Sequence, residues 1–436
     1  MIAILAAVGT VVAITVLVVG LIRLAFVPFS VGFEIRHRGH RDDTAPVTGD
    51  TIFDAAPFVS VIVPAYNEGV VIENCLRSIV RSDYADYEVI AVDDGSSDDT
   101  YRRMQALAAE HPRITALAQA NAGKGAALNT GIAHASGSVI MLVDADGLFQ
   151  PHTISRMLRG FSDDRVGAVC GNDRPVNLDR VQTRFLALIS HLGTGLMRRA
   201  MSELHCLPVV SGNIGAFRSE VLDAIGPLDE DTVGEDLELT WRVYREGWVI
   251  AFAPHALLYA ESPSTPRALW RQRVRWARGL LQVTRLHRRM VGHPRYRMFG
   301  AFLAYNTFTQ IVVPFLQVLG ILTIGGLALA GQIPDVPTTL WQVALFVGLP
   351  LSIVLLVLAV FLDRAPGDLR HAWTLPVWPV YSSVMTLVMI WAVWLELTGA
   401  ENRWNKLNRT GTVSVEGLVG PTEEGTTGRG AEPPGS

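Results

Sequence analysis

Residues 2–22 read IAILAAVGTVVAITVLVVGLI, a run without a single charged side chain. Coiled as a helix rising ~1.5 Å per residue, such a run spans the ~30 Å hydrocarbon core of a bilayer. No basic segment precedes it, whereas Arg23, Arg36, Arg38 and Arg41 follow it. A secretory leader carries the opposite flanks, so the run predicts an anchor with its N-terminus outside and the next domain in the cytoplasm. Three more apolar blocks come late, at about 302–331, 340–362 and 373–397. The first contains Asn306, Gln310 and Pro314, so its opening turns are expected along the interface. The parity of these spans stays open. Three late crossings put the tail outside, but the basic stretch ENRWNKLNRTG from Glu401 favours the cytoplasm. Residues 411–436, rich in Gly, Pro, Thr and Glu, are expected to be disordered.

Charge narrows the choice of partner. A net charge of −4 gives no global positive field, which argues against nucleic acid as a ligand. The arginines are uneven: ten fall between Arg267 and Arg297, and residues 301–350 hold neither Arg nor Lys. That contrast marks a membrane boundary. The three cysteines, Cys75, Cys170 and Cys206, are odd in number and lack metal-ligand spacing. Neither a disulfide framework nor a zinc site is indicated, and a reducing compartment fits.

Between the membrane blocks the pattern changes. FVSVIVPAYN, YEVIAVDDGS and SVIMLVDADG are short β-branched runs ended by turn formers. Segments with helical periodicity, VIENCLRSIVRS and TYRRMQALAAEH, alternate with the first two. This alternation predicts an α/β class with an open, mainly parallel sheet, whose ligands sit at the carboxyl ends of the strands.

The candidate chemistry falls at those ends. Asp93 and Asp94 close one strand ahead of Gly95, and Asp144 and Asp146 close another. In an extended segment Asp144 and Asp146 point to one side, where two carboxylates can share Mg²⁺ or Mn²⁺ with diphosphate oxygens. Capping of turns is the alternative. Only two of the 37 Lys and Arg residues are lysines, and one of them, Lys124, lies between glycines in NAGKGAALNTG. Its ammonium could meet a phosphate or a ribose oxygen, or it could be a solvated loop residue. A Walker loop is absent, which argues against an ATPase. Glu235 and Asp236 open a periodic helix, either as acids stabilised by its dipole or with one of them as a general base. In RALWRQRVRWARGLLQVTRLHRRM, Gln272, Arg275 and Trp276 share a helical face. They can turn toward a cleft while Arg271, Arg278, Arg285 and Arg288 face phospholipid; a purely interfacial helix is the alternative.

Taken in chain order, PAYNE, VDDGSSDDT, NAGKGAALNTG, VDADG, VSGNIGAFR, GED and QRVRW resemble the membrane-bound family-2 glycosyltransferases of GT-A fold. Within them the chain looks most like processive poly-β-1,6-N-acetylglucosamine synthases, with chitooligosaccharide, hyaluronan and cellulose synthases as relatives. The resemblance covers about residues 58–290 and the flanking spans. It implies a GT-A-type domain inserted between transmembrane helices: an N-terminal helix over 1–27, a linker over 28–57, a cytoplasmic catalytic domain over 58–266, an interfacial region over 267–298, a membrane region over 299–398 and a polar tail over 399–436. It also implies roles. Asp93 or Asp94 would bind the uracil end of a UDP-sugar, with Tyr66, Asn67 and Glu68 nearby and Lys124 at the nucleotide. Asp144 and Asp146 would hold Mg²⁺ or Mn²⁺. Asp236 would be the base beside Glu235, while Gln272, Arg275 and Trp276 would hold diphosphate and acceptor, and Ser211 and Gly212 would belong to an acceptor-side loop. Gly234 stands where Thr is commoner in the family. The implied activity is inverting transfer of N-acetylglucosamine from UDP-GlcNAc, or a similar UDP-sugar, to a growing β-linked polysaccharide at the inner face of the plasma membrane. Membrane lipids and accessory export or modification proteins are the other partners in view. Single transfer to a lipid acceptor and a catalytically inactive sugar-nucleotide binder are the alternatives.

Overall fold

The computed structural model describes residues 2–37, 51–329 and 349–400, with Val47 and Gly331 as isolated positions. The basic stretch from Glu401, the tail and residues 340–348 of the second late block therefore lie outside the described residues. The chain begins with helices α1 (Ile2–Ala25) and α2 (Val27–Arg36). Pro28 sits in the first turn of α2, where a missing N–H removes no helical hydrogen bond. Residues 28–36, expected within a linker, are thus helical. The reason is tertiary: Phe33 is buried, and the Ser30 hydroxyl donates to the Leu196 carbonyl at 2.8 Å.

An α/β unit follows: β1 (Val59–Ala65), α3 (Ile72–Val80), β2 (Tyr87–Asp93), α4 (Thr100–Glu110), β3 (Ile114–Ala118), α5 (Lys124–His134), β4 (Val139–Val143), β5 (Leu148–Phe149), α6 (Thr153–Leu158), β6 (Val166–Pro175), α7 (Val181–Ser190), α8 (Met197–Glu203), β7 (Ile214–Arg218), α9 (Ser219–Ile225), α10 (Glu235–Arg245) and β8 (Val249–Ala260). The strands form one eight-stranded sheet in the order β3-β2-β1-β4-β7-β6-β8-β5. Strand side chains alternate between two cores. Val59, Val61 and Val63 of β1 and Met141 of β4 enter one, while Ile62 and Leu142 enter the other. A strand covered on both faces reads as an unbroken apolar run, which is why VSVIVPA is buried throughout. The sheet is mixed: β7 runs antiparallel to both β4 and β6, so the mainly parallel expectation holds for β1–β4 and gives way beyond β4.

Five helices follow the sheet: α11 (Pro266–Leu286), α12 (Arg297–Thr307), α13 (Val313–Leu329), α14 (Leu349–Leu362) and α15 (Trp378–Leu397). Among the described residues three helical stretches are long and apolar enough to cross a membrane, Leu17–Arg36, Pro294–Leu327 and Pro366–Leu397, and a shorter apolar helix covers Pro350–Leu362. Helix α11 is pinned to α15. Ala277 packs with Val388, Met389 and Ala392, and the Arg278 guanidinium donates to Glu396 Oε1 at 2.6 Å and to the Ala400 carbonyl at 2.6 Å. Arg278 is thus buried against α15 and not among the lipid-facing charges, whereas Arg271, Arg285 and Arg288 are exposed.

A second tie joins α2, α8 and the end of α14. Arg199, fully buried, donates to Glu34 Oε2 at 3.3 Å, Asp363 Oδ1 at 2.6 Å and the Leu362 carbonyl at 2.9 Å. His191 bridges Asp363 and Asp368 at 2.7 and 3.0 Å.

Candidate active site

The loops at the carboxyl ends of β1, β2 and β3 are fastened to one another by backbone-directed carboxylates and amides. Asn67, left-handed at φ 54°, donates its N–H to the Ser96 hydroxyl at 2.8 Å, and its Oδ1 accepts from the N–H groups of Ser97 and Asp98 at 2.7 and 3.3 Å. It latches the loop after β1 to the loop after β2, with Tyr66 and Glu68 partly buried on either side. The carboxylate of Asp94 accepts from Gln119 Nε2 at 2.8 Å and from the N–H groups of Ala122 and Gly123 at 2.9 and 2.8 Å. Asp94 thereby shapes the loop that delivers Lys124. Asp93 differs: Oδ2 accepts from the Ser96 N–H at 3.1 Å, while Oδ1 is buried and makes no hydrogen bond among the described residues.

Lys124 is the hub, and it is not a solvated loop residue. Its ammonium lies 2.7 Å from Asp144 Oδ1 and 3.1 Å from Glu235 Oε1. Burial disfavours its charge, but Asp144, Glu235 and Asp236 outweigh that and hold the ammonium protonated. The same field separates the two acids of α10. Burial works against the charge of Glu235, yet Lys124 and Arg275 keep its carboxyl below the ordinary range. Burial and the neighbouring Glu235 push the Asp236 carboxyl upward against Lys124 and Arg275. Two acids driven apart in this way divide naturally into a charged anchor and a proton acceptor.

The loop before β7 closes the group. The Gly212 N–H donates to Asp236 Oδ2 at 3.2 Å, and the Leu237 N–H donates to Oδ1 at 2.8 Å. A Cβ at 212 would lie 3.1 Å from Lys124 Nζ and 3.2 Å from Asp236 Oδ2, so glycine lets the main chain sit against both. Ser211 is anchored behind it, its N–H directed at Cys170 Sγ at 3.4 Å.

Asp144 and Asp146 lie in a turn closed by the Gly147 N–H to the Asp144 carbonyl at 2.9 Å, not in the extended segment expected for them. Their proximity therefore comes from the turn. Burial first, then the charges of Asp146, Asp144 and Glu68, push the Cys75 thiol up. The Asp144 side chain keeps 25% of its surface, while Asp146 is buried and Oδ2 accepts from the Glu261 N–H at 3.3 Å. Among the described residues no three His, Cys, Asp or Glu converge as a complete cation cage. Two carboxylates suit a hard cation that draws its remaining ligands from a diphosphate.

Of the α11 triad, Gln272 and Arg275 are partly buried, and Arg275 is in electrostatic reach of Glu235 and Asp236. Trp276, expected on the inner face, is 49% exposed, with the Arg273 guanidinium 4.2 Å over its ring. Gly234 owes its identity to packing, because a Cβ there would come within 3.1 Å of Gly279 Cα, and one at Gly279 equally close to Gly234 Cα. A threonine at 234 forces the Gly279 backbone to shift by a few tenths of an ångström. Gly234→Thr is therefore expected to lower stability by about 1–3 kcal/mol, read as a fall in the thermal midpoint.

Sequence reasoning missed a polar layer beside this group. Arg198 donates to Asp173 Oδ1 at 3.0 Å, Asn213 Nδ2 to Asp173 Oδ2 at 3.3 Å, and Arg198 is in electrostatic reach of Asp236. Arg273, one of three arginines in RQRVRW, is buried enough to be pushed below its ordinary value and feels Asp173. The VSGNIGAFR motif contained Asn213, but nothing local in sequence marked Asp173 or Arg198.

An open α/β sheet whose strand ends gather these acids, one lysine and one arginine around a glycine loop defines a glycosyltransferase of GT-A type. Residues 56–279 match the family described as "Glycosyltransferase like family 2", and the chain belongs to it. It is 32% identical over 268 residues to the protein described as "Probable glycosyltransferase YdaM" of Bacillus subtilis, covering 58% of this chain and 63% of that one. It is 29% identical over 279 residues to poly-β-1,6-N-acetyl-D-glucosamine synthase of Staphylococcus aureus, covering 63% and 64%. The chain thus spans under two-thirds of the length of these curated relatives. The solved mannosyltransferase PcManGT of Pyrobaculum calidifontis shares the fold, with a TM-score of 0.58 and 24% identity over 88% of this chain and all of that one.

Proposed function

We propose that this glycosyltransferase moves N-acetylglucosamine from UDP-GlcNAc onto a growing β-linked polysaccharide at the inner face of the membrane, with inversion at the sugar carbon. The observation that carries this reading is the convergence of Asp144 and Glu235 on the Lys124 ammonium, with Lys124 and Asp236 against Gly212 and Arg275 in reach. Asp236 takes the proton from the acceptor hydroxyl as it attacks, because its raised affinity for a proton fits a base and its neighbour Glu235 stays charged. Lys124 and Arg275 face the charge that grows on the departing diphosphate. Asp144 and Asp146 would hold Mg²⁺ or Mn²⁺, which supplies further neutralisation at that diphosphate when bound. Asp93 and Asp94, with Tyr66, Asn67 and Glu68, form the nucleotide side; Gln272, Trp276 and the Ser211–Gly212 loop form the acceptor side.

In this reading residues 58–266 are the catalytic unit, 267–298 the interfacial element, and 1–27 and 299–398 the membrane regions. The S. aureus synthase supports polymer formation, while the P. calidifontis mannosyltransferase, solved with GDP-Man and Mn²⁺, supports a cation and makes GDP-mannose the donor to test in parallel.

Membranes holding the protein, incubated with each labelled sugar nucleotide with and without Mn²⁺, are expected to release UDP from UDP-GlcNAc and to make a polymer degraded by a β-1,6-specific hydrolase. Products one sugar long would reassign the protein to single transfer onto a lipid. Release from GDP-mannose alone would remove the proposed donor. Arg275→Ala is expected to cut turnover by about 10²–10³-fold, measured as nucleotide release at saturating donor.

A further inference from the structure

The loop Ser211–Gly212–Asn213 carries the Gly212 N–H that donates to Asp236 Oδ2 at 3.2 Å. Its ends are fixed. On one side the Val210 N–H donates to the Thr240 hydroxyl of α10 at 2.9 Å, and on the other Ile214 pairs with Val143 of β4. Between them Gly212 has no side chain by which to be held, and the Ser211 N–H reaches only a weak acceptor, the Cys170 thiol, at 3.4 Å. The side chain that ties the middle of the loop to β6 is Asn213, whose Nδ2 donates to Asp173 Oδ2 at 3.3 Å.

Asp173 stands where the ladder between β6 and β7 has ended. The last main-chain pair is Cys170 with Gly215, and the register of β6 on β8 shifts between Cys170 and Asn172. Bulges of this kind re-aim side chains beside active sites. Here Asn172, fully buried, secures the bulge by donating to the Pro254 carbonyl at 3.0 Å. The two oxygens of Asp173 then serve two partners: Oδ2 takes Asn213, and Oδ1 takes Arg198 Nη1 at 3.0 Å. Arg198 also donates to the Gly171 carbonyl at 3.2 Å, so its guanidinium spans the bulge and fixes the carboxylate with a charge-assisted bond. Helix α8, which carries it, is itself anchored, because Arg199 next in sequence is clamped by Glu34 and Asp363. A chain of contacts thus runs from α8 through Arg198, Asp173 and Asn213 to the amide that faces Asp236.

We propose that Asp173, fixed by Arg198, is a positioning residue for sugar transfer: through Asn213 it holds the Gly212 N–H against the base. This rests on the reading of Asp236 as that base. A donor to a carboxylate favours its charged form, so the loop sets the proton affinity of Asp236 as well as its orientation. The charged groups that also face Asp236 are Glu235 on its own helix, Lys124 on α5, Arg275 on α11 and Arg198 on α8.

Asn213→Ala alters none of these charges. In membranes holding the full chain it is expected to lower kcat for UDP release from UDP-GlcNAc by about 10–10²-fold. The acid limb of kcat is expected to move to higher pH, since Asp236 loses a donor to its charged form. A smaller folded fraction would lower kcat equally at every pH and leave the limb in place. Asp173→Ala is expected to lose at least as much, and the double variant no more than Asp173→Ala alone, because the two residues act through one contact. The charge freed on Arg198 is common to those two variants and cancels. Where Asp173→Ala does not fold, Asn213→Ala, uncharged and only partly buried, decides by itself. Unchanged kcat or an unmoved limb in Asn213→Ala, or losses that multiply in the double variant, would overturn the proposal. Asp236→Asn measured in parallel keeps the two readings apart. Turnover kept in Asp236→Asn removes the base and the positioning with it, whereas turnover lost there and kept in Asn213→Ala removes the positioning alone.

Discussion

Asp236→Asn is expected to lower sugar transfer by about 10²–10⁴-fold while nucleotide binding is kept, as measured by UDP release and by nucleotide titration. The carboxamide has nearly the shape of the carboxylate but cannot accept the acceptor's proton. It also has one oxygen where the structure offers two donors, the N–H groups of Gly212 and Leu237, so one of these contacts is lost. That loss costs about 1 kcal/mol of local stability, well short of the expected loss in rate. The pH profile gives an independent readout. Because burial and Glu235 push the Asp236 carboxyl up, the acid limb of kcat is expected above the ordinary aspartate value of ~3.9. Glu235→Gln removes the like charge and releases Lys124 toward Asp236, so the limb is expected to move to lower pH. Unchanged turnover in Asp236→Asn, or a limb that stays put in Glu235→Gln, would defeat the base assignment.

Arg199→Met is the second large effect, here on stability. The side chain is fully buried, and removing its charge takes from Glu34 and Asp363 the one buried cation that both share. Breaking a buried network by deleting one partner costs about 3–5 kcal/mol. The expected outcome is a lower thermal midpoint and earlier proteolysis near α2 and the end of α14. Adding Glu34→Gln and Asp363→Asn to Arg199→Met is expected to restore part of the loss, since neither acid then carries a charge that Arg199 had offset. The network also sets a pH window. Burial opposes the His191 imidazolium, but Asp363 and Asp368 outweigh it and raise its pKa. Its contribution is complete below the unfolded value of ~6.5 and is lost as pH rises through the higher folded value. Burial opposes the Asp363 carboxylate, but His191 and Arg199 hold its pKa down. Its contribution is present above the unfolded value of ~3.9 and is lost as pH falls through the lower folded one. Stability lost in Arg199→Met that is not recovered by neutralising both acids would locate the effect in packing instead.

Local pattern carried much of this protein. Strand runs such as VSVIVPA, the helix opening at Glu235 and the helical reading of RQRVRW were legible because side-chain period and first-turn acids depend on neighbours a few positions away. The ordered set of motifs around Asp94, Lys124, Asp144 and Asp236 was legible for the same reason, since each is a short loop at a strand end. Their pairing was not. Lys124 could be read as a solvated or a phosphate-binding lysine until the sheet order β1-β4-β7 brought Asp144 and the start of α10 to its ammonium. The turn at Asp144–Asp146 replaced an extended segment because Gly147 allows the chain to fold back under Leu258, where a Cβ would lie 2.6 Å from its side chain.

Charge composition predicted a membrane edge along α11 but could not sort its arginines. Arg278 belongs to Glu396, 118 positions away, and Arg199 to acids 165 and 164 positions away. Which cation meets lipid, which meets an acid and which faces the site depends on how distant segments cross, and nothing in the spacing of neighbours encodes that. The linear order of residues thus determined the elements, the class of fold and the inventory of reactive groups, through interactions within a turn or a strand. Only the tertiary structure decided their partners and hence their proton affinities, because a buried charge is set by what the fold places within a few ångströms of it.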